Sequence, residues 1–521
     1  MELPLNITVL PNITKYVHNI SRQIGAAGNS VATCINSSQF IQGCKSPVAP
    51  NIPSIDILII YIIYSFLMVL NILLIFKFIK YYRAVIKNMR SVGRARALVS
   101  SDPLPMSFIV PVKGEPLDVI YSMLLRFADL DYPRDSFEVL VVSDDDEGYF
   151  AKLKAVVEAT ARELGIRARA LRRDSGGRYK GSALNWASER AQHDVLVFLD
   201  VDSRIPRDAA VRVASAIDDN TLLFLGWDGY TSLFTRLGRA LQFTYRYFLL
   251  YGAYLGRALT GDVLLALGSG IAIKKSLLKR VGGFCDCVAD DYDISLKVLL
   301  SGGRVVYDGG VPVSVEIPAT YFAFRKQFAR WVFNSSYIAR KYVARILEAP
   351  LPLRERASLI LTILQHPLIV ATSLFLPLMG LVATYTGYLI PPLPVLALEL
   401  ASASLTFILL YYTTSLARSE GRGLAESLAL TAQNALIALL INVTAFVYMV
   451  AGFFRDSITW RVTPKGSTQL SFKESLAPEL SYIGVVAAVA TYALLVHMWT
   501  LALSAMALLL LLVYALWLVT R

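Results

Sequence analysis

Apolar residues gather in windows long enough to cross a bilayer, about 20 residues each, near 55–79, 359–387, 393–417, 428–454, 481–498 and 500–519. Between 80 and 355 no such window occurs, which predicts a water-soluble domain inserted after the first span and followed by the others. Inside the insert, short apolar runs alternate with stretches of helical period. Strands are predicted at 107–112, 139–143, near 167–171 and at 195–200, and helices at 116–128, 151–164 and 181–192. Strands that are apolar throughout and alternate with helices predict a mostly parallel, buried sheet. Ligands of such sheets bind beyond the carboxyl ends of the strands. Three of these ends carry acids: Glu115, then Asp144, Asp145 and Asp146, then Asp200 and Asp202.

Composition supports the division. Hydrophobic residues make up 55% of the 521-residue chain and charged ones 17%, against roughly 45–50% and about 25% in soluble globular proteins. The surplus must face lipid. A disordered or collagen-like chain is excluded, and four cysteines are too few for a disulfide scaffold. The net charge of +12 suits either nucleic acid or the inner face of a membrane, and the adjoining spans argue against nucleic acid. Only Lys45 lies in 35–54, whereas Lys77, Lys80, Arg83, Lys87, Arg90, Arg94 and Arg96 end or follow the first window. The positive-inside rule therefore places an N-terminal tail over 1–54 outside and the 80–355 domain in the cytoplasm, most simply at the plasma membrane. Four Asn-x-Ser/Thr sequons, at Asn6, Asn12, Asn19 and Asn36, and a Cys34/Cys44 pair spaced for a small disulfide loop suit an outer tail. The Asn334 sequon reads as a chance match, and no signal peptide is indicated.

The C-terminal part, 356–521, poses a parity problem. Arg418 and Arg422 precede the segment 424–454, and Arg455, Arg461, Lys465 and Lys473 follow it, so both of its ends ask to be inside. Ser427, Thr431, Asn434, Ala438 and Asn442 recur on it at three- and four-residue steps. This polar stripe predicts an interfacial or re-entrant helix, with a sixth ordinary span as the alternative. The interfacial reading gives five spans, a C-terminus inside and a cytoplasmic loop over 455–480.

An Asp-x-Asp at a strand end puts two carboxylates within reach of one hard cation, Mg²⁺ or Mn²⁺, with coordination positions left for substrate phosphates. Further motifs follow in order: Pro111-Val-Lys-Gly-Glu-Pro116, Ser143-Asp-Asp145, Tyr179-Lys-Gly-Ser-Ala-Leu-Asn185, Gly268-Ser-Gly270, Ala289-Asp-Asp291 and Gln327-Phe-Ala-Arg-Trp331. Together they resemble family-2 glycosyltransferases of the membrane polysaccharide-synthase type, the cellulose, chitin and hyaluronan synthases. The resemblance covers about 105–335 and extends weakly to about 466. It implies an α/β domain of the Rossmann-like GT-A type inserted among the transmembrane helices of a polytopic membrane protein.

The resemblance also implies roles. Glu115 and Asp144 would hold the nucleoside of a sugar nucleotide, and Lys180 its phosphates. Asp200 and Asp202 would serve the diphosphate and its metal. Asp291, beside Asp290, would be the general base. Gln327 and Arg330 would bind the donor diphosphate, and Trp331, with Gly268 and Ser269, the acceptor sugar; an interfacial tryptophan belt is the alternative for Trp331. The family's usual Thr-Glu is Ala289-Asp290 here, and an Asn of the first motif is Gly114. Trp460-Arg-Val-Thr-Pro-Lys-Gly466 resembles the gating loop of cellulose synthases, which makes Thr463 and Lys465 candidate diphosphate contacts, a basic loop on anionic lipid being the alternative.

The implied activity is inverting, metal-dependent transfer from a nucleotide sugar to a growing β-glycan, with export of the chain through the helices. The alternatives are one-sugar transfer to a polyprenyl-phosphate lipid and a silent scaffold that keeps the fold. Implied partners are the donor, a glycan or lipid-linked acceptor, the bilayer, and either a second copy or an export subunit. Cys285 and Cys287 lack the companions of a zinc set and read as reduced structural thiols. The histidines at 18, 193, 366 and 497 are scattered and suggest no His-based catalysis. The stretch 231–262, with Phe243, Tyr245, Tyr247, Phe248 and spaced arginines, fits either a membrane-surface helix leading to the acceptor or ordinary core.

Overall fold

The computed structural model describes residues 54–92, 103–174, 177–309, 313–374, 393–458, 466, 468–495 and 499–520. The tail sequons, Cys34 and Cys44, and the 460–465 motif with Thr463 and Lys465 lie outside the described residues.

The soluble domain is built on a seven-stranded sheet of order β3-β2-β1-β4-β7-β5-β8. Its strands are β1 Met106–Val112, β2 Phe137–Ser143, β3 Ala168–Arg172, β4 Val195–Phe198, β5 Thr221–Phe224, β7 Ile271–Lys274 and β8 Arg304–Tyr307. All neighbouring pairs are parallel except those of β7 with β4 and β5. A second, two-stranded parallel sheet joins β6 Trp227–Tyr230 to β9 Val313–Glu316. The mostly parallel sheet expected from the apolar runs is present, and the expected helices fall within a few residues of their places. Helix Glu147–Leu164 begins four residues earlier than its apolar period, because Asp146 caps it by accepting from the Tyr149 N–H at 3.0 Å.

Side chains alternate across a strand, so each apolar run feeds two cores. Phe108, Val110, Val139, Val141 and Val197 face helices Leu117–Ala128, Glu147–Leu164 and Ala209–Ala216. Ile109, Leu140, Val142, Leu196 and Phe198 face the other way, toward helices Lys180–Arg190 and Asp290–Leu300. That second face is roofed by the first helix and by a helical stretch of the domain itself. Leu74, Phe78, Tyr81, Tyr82 and Val85 come from helix Ser54–Val92, and Phe243, Tyr247, Leu250 and Tyr254 from the helical stretch 236–259. The latter stretch widens into a π-helix over Thr244–Leu255. A Cβ on Gly256 would stand 2.4 Å from that of Tyr81, so only glycine admits this approach.

Among the described residues five helices are long and apolar enough to cross a membrane: Ile59–Met89, Ala397–Ser419, Leu424–Phe454, Ala477–Leu495 and Ala502–Thr520. This five is not the expected five. The window 359–387 opens as two helices, Leu353–Ile363 and Gln365–Leu374, bent by 58°. Segment 424–454 is one continuous helix of 31 residues, about 46 Å long, and both of its ends touch the soluble domain. At the near end, Glu420 accepts from Arg246 Nε at 2.7 Å and from the Tyr247 hydroxyl at 2.8 Å. At the far end, Arg178 donates to the Ser457 hydroxyl and the Tyr179 hydroxyl to the Ile458 carbonyl, each at 3.0 Å. Midway, Asn434 donates to the Ala240 carbonyl at 2.8 Å.

Candidate active site

The chain places β2 and β3 on one side of β1 and β4 on the other, so the order of strands reverses between β1 and β4. Ligands of such sheets bind at the carboxyl ends beside a reversal, and the acidic loops after β1, β2 and β4 stand there. The turn after β4 is held from below. Ser269, fully buried, accepts from the Asp200 N–H at 3.0 Å and shares a hydrogen with Ser203 at 2.6 Å. The Tyr230 hydroxyl donates to the Asp202 carbonyl at 2.9 Å. Ser269 thus sits beneath the Asp200 turn, while its neighbour Gly268 is at the site: a Cβ there would lie 3.6 Å from Asp291 Oδ2 and 3.9 Å from Lys180 Nζ.

Lys180 begins its helix and donates to Asp200 Oδ1 and to the Gly268 carbonyl, both at 2.6 Å. Asp286 holds the approach to it by accepting from the N–H groups of Arg178 and Tyr179 at 2.8 and 2.7 Å. Asp290 and Asp291 open helix Asp290–Leu300, and Asp291 accepts from the Tyr292 N–H at 2.8 Å. Burial pushes both carboxyls well above the ordinary range, and for Asp290 the charge of Asp291 adds to it. Burial works against the Lys180 ammonium, but Asp200, Asp290 and Asp291 outweigh it and raise its affinity for the proton. Burial likewise lowers that of Arg330, whose charge faces Asp200, Asp291 and Asp290. Lys180, Asp200, Asp290, Asp291 and Arg330 therefore form one constellation.

The remaining candidates stand around it. Gln327 accepts from the Tyr245 hydroxyl at 2.9 Å. The Trp331 ring lies 6.1 Å from that of Tyr245 and 6.5 Å from that of His366. Asp144 is gripped by Arg173 at 2.7 and 2.5 Å, and Arg173 donates to Ser182 at 2.9 Å, tying the end of β2 to the helix that carries Lys180. Glu115, after the adjacent β1, accepts from the Lys113 N–H, and its carbonyl accepts from the Tyr149 hydroxyl. Arg173, Asp286 and Ser203 left no mark in the sequence, since each acts through contacts made only in the fold.

Asp200 and Asp202 offer hard oxygen donors two residues apart, which fits Mg²⁺ or Mn²⁺. Among the described residues no third ligand closes around them, as suits an ion that shares its coordination with phosphate oxygens and water. The group Cys285, Cys287 and Asp293 does not fit a metal. Cys285 and Cys287, with Cα atoms 5.2 Å apart, are joined as a disulfide, which overturns the expected free thiols. Asp293 is taken up by Lys341 at 2.6 Å and Lys297 at 2.7 Å.

Residues 103–334 match the family described as Glycosyltransferase like family 2. A probable glycosyltransferase of Sulfolobus acidocaldarius is 28% identical over 398 residues, covering 75% of this chain and 83% of the relative. A probable glucomannan 4-beta-mannosyltransferase of Oryza sativa subsp. japonica is 23% identical over 260 residues, 47% of this chain and 43% of its own. A solved mannosyltransferase from Pyrobaculum calidifontis, in complex with GDP-Man and Mn²⁺, aligns at TM-score 0.44 and 19% identity over 75% of this chain and 99% of its own. Over 103–334 the soluble domain, with its mostly parallel sheet, is thus similar to family 2 glycosyltransferases.

Proposed function

We propose that the chain is an inverting β-glycan synthase that extends its product at the inner face of the plasma membrane and passes it through its own helices. The observation that carries the reading is the meeting of Lys180, Asp200, Asp290, Asp291 and Arg330, with Trp331 on the side of the bent membrane helices.

Glu115 and Asp144 hold the nucleoside end of the donor, and Lys180 and Arg330 face its diphosphate. Asp200 and Asp202 would hold Mg²⁺ or Mn²⁺, which when bound neutralises charge on the departing phosphate. Asp291, with a proton affinity raised by burial, takes the proton of the acceptor hydroxyl. The hydroxyl oxygen then bonds to the anomeric carbon as the bond to the diphosphate breaks, and Lys180 and Arg330 stabilise the charge that develops on the leaving group. One in-line displacement inverts the centre, so an α-linked donor gives a β-linked product. Gln327 serves the donor diphosphate beside Arg330, and Trp331 borders the acceptor.

The same reading sets the topology. A span cannot return both of its ends to one side, and both ends of Leu424–Phe454 contact the soluble domain. This helix lies at the inner interface. The four other candidate spans and the bent pair cross, with the N-terminus outside and the C-terminus inside.

Purified full-length enzyme in lipid nanodiscs with Mn²⁺ and labelled UDP- and GDP-sugars is expected to yield polymer. A product that stops at one added sugar in a lipid-extractable form overturns the synthase in favour of transfer to a polyprenyl phosphate.

A further inference from the structure

Among the described residues four arginines are buried: Arg173, Arg212, Arg257 and Arg325. Three of them meet carboxylates. Arg173 lies 2.5 Å from Asp144, Arg212 is 2.6 Å from Asp208 and 3.0 Å from Asp308, and Arg325 is 2.8 Å from Glu479 and 2.9 Å from Glu474. Arg257, 5% exposed, has no acid within 4.0 Å among the described residues. Its Nη1 donates to Thr362 at 2.9 Å, its Nη2 to Gln365 at 3.2 Å, and its Nε–H, also buried, has no acceptor. The Tyr81 ring stands 5.7 Å from its guanidinium carbon, but a buried guanidinium whose hydrogen bonds go only to neutral oxygens is costly unless an anion joins it.

Its location says which anion. Thr362 and Gln365 stand on either side of the 58° break between Leu353–Ile363 and Gln365–Leu374. The next residue, His366, bonds Ser335 at 2.9 Å and lies 6.5 Å from the Trp331 ring. The break in the helix pair therefore stands beside the candidate acceptor ring.

We propose that Arg257, with Gln365, forms an acceptor subsite for an oxyanion, so that the acceptor carries a negative group close to the hydroxyl being glycosylated. The inference rests on the acceptor side assigned above. Either a uronate on a glycan or the phosphate of a lipid carrier supplies that chemistry.

Full-length protein in nanodiscs, without donor, is titrated with four probes and read by tryptophan fluorescence: farnesyl phosphate, farnesol, a glucuronate-ended oligosaccharide and its neutral glucose counterpart. The wild type is expected to bind one anionic probe about tenfold or more tighter than its neutral twin. Preference for farnesyl phosphate assigns the lipid source, and preference for the glucuronate the glycan. Arg257→Gln is expected to abolish the preference. Gln365→Glu, which gives the guanidinium a built-in counter-charge and so keeps the protein folded, is expected to abolish it too. Equal binding of charged and neutral probes by the wild type, or a preference that survives Gln365→Glu, overturns the proposal. Donor turnover is scored separately as released nucleoside diphosphate. Turnover without charge preference sinks this subsite alone, and charge preference without turnover of any donor sinks the synthase reading alone.

Discussion

One ammonium, Lys180, faces Asp200, Asp290 and Asp291, and this imbalance of charge governs what each acid can do. Replacing Asp291 by Asn removes the base and is expected to lower kcat by about 10²–10⁴-fold, with donor affinity, measured by calorimetry, nearly unchanged. Because both acids take up protons more readily in the folded enzyme than in the unfolded chain, stability should fall as pH rises from the ordinary carboxylate range through their raised values. Asp290→Asn removes that penalty. Its Tm should exceed that of the wild type near neutral pH, and the gap should close in acid; a gap that widens in acid would show that the folded protein favours the charged form. Lys180, Asp200, Asp290, Asp291 and Arg330, which the fold brings together, were legible as candidates because each stands in a motif or at a strand end. Asp286 was not, since the two N–H groups it holds are more than a hundred residues away in the chain.

At the scale of elements, helix Leu424–Phe454 is long and apolar enough to span, while its polar stripe and the basic residues at both ends ask for an interface. Glu420 and Ser457, just beyond its two ends, bond Arg246 and Arg178. Cysteines placed at Gly423 and at Asp456 should both react with a membrane-impermeant thiol reagent in inside-out vesicles and neither in right-side-out ones. Reaction of one end from each side would make the helix a span. Glu420 also draws together Arg246, Tyr247 and Tyr251. Glu420→Gln leaves a partly buried Arg246 with Asp228 as its remaining acid, which should cost about 2–3 kcal/mol in stability, read by thermal denaturation in nanodiscs. The break at Leu364 escapes a hydropathy sum, which counts apolar residues without regard to direction, but it has a local cause: Pro367 offers no N–H to the Ile363 carbonyl, so a straight helix cannot run through it.

For the molecule as a whole, the soluble domain and the membrane helices are one folding unit. The sheet's second face is closed by Tyr81 and Tyr82 from the first helix, with the Tyr82 hydroxyl donating to the Tyr247 carbonyl at 2.7 Å. A chain starting at residue 103 would expose that face and is expected to aggregate in detergent-free buffer, as judged by size-exclusion chromatography. A monodisperse, soluble fragment would show the roof to be dispensable. The complementarity of Gly256 to Tyr81 is a matter of shape between segments far apart in the chain, which composition and spacing do not announce.

The sequence by itself determined the membrane class, the alternating strands and helices, and the acids at the strand ends, since hydropathy, side-chain period and motif order are local properties. Only the tertiary structure decided which of those acids meet Lys180, that Ser269 lies under the Asp200 turn while Gly268 lies beside Asp291, that Cys285 and Cys287 are bonded, and that Arg257 is buried with no carboxylate within 4.0 Å among the described residues. Each of these depends on the distance between groups far apart in the chain, and packing sets such distances, whereas composition and spacing leave them open.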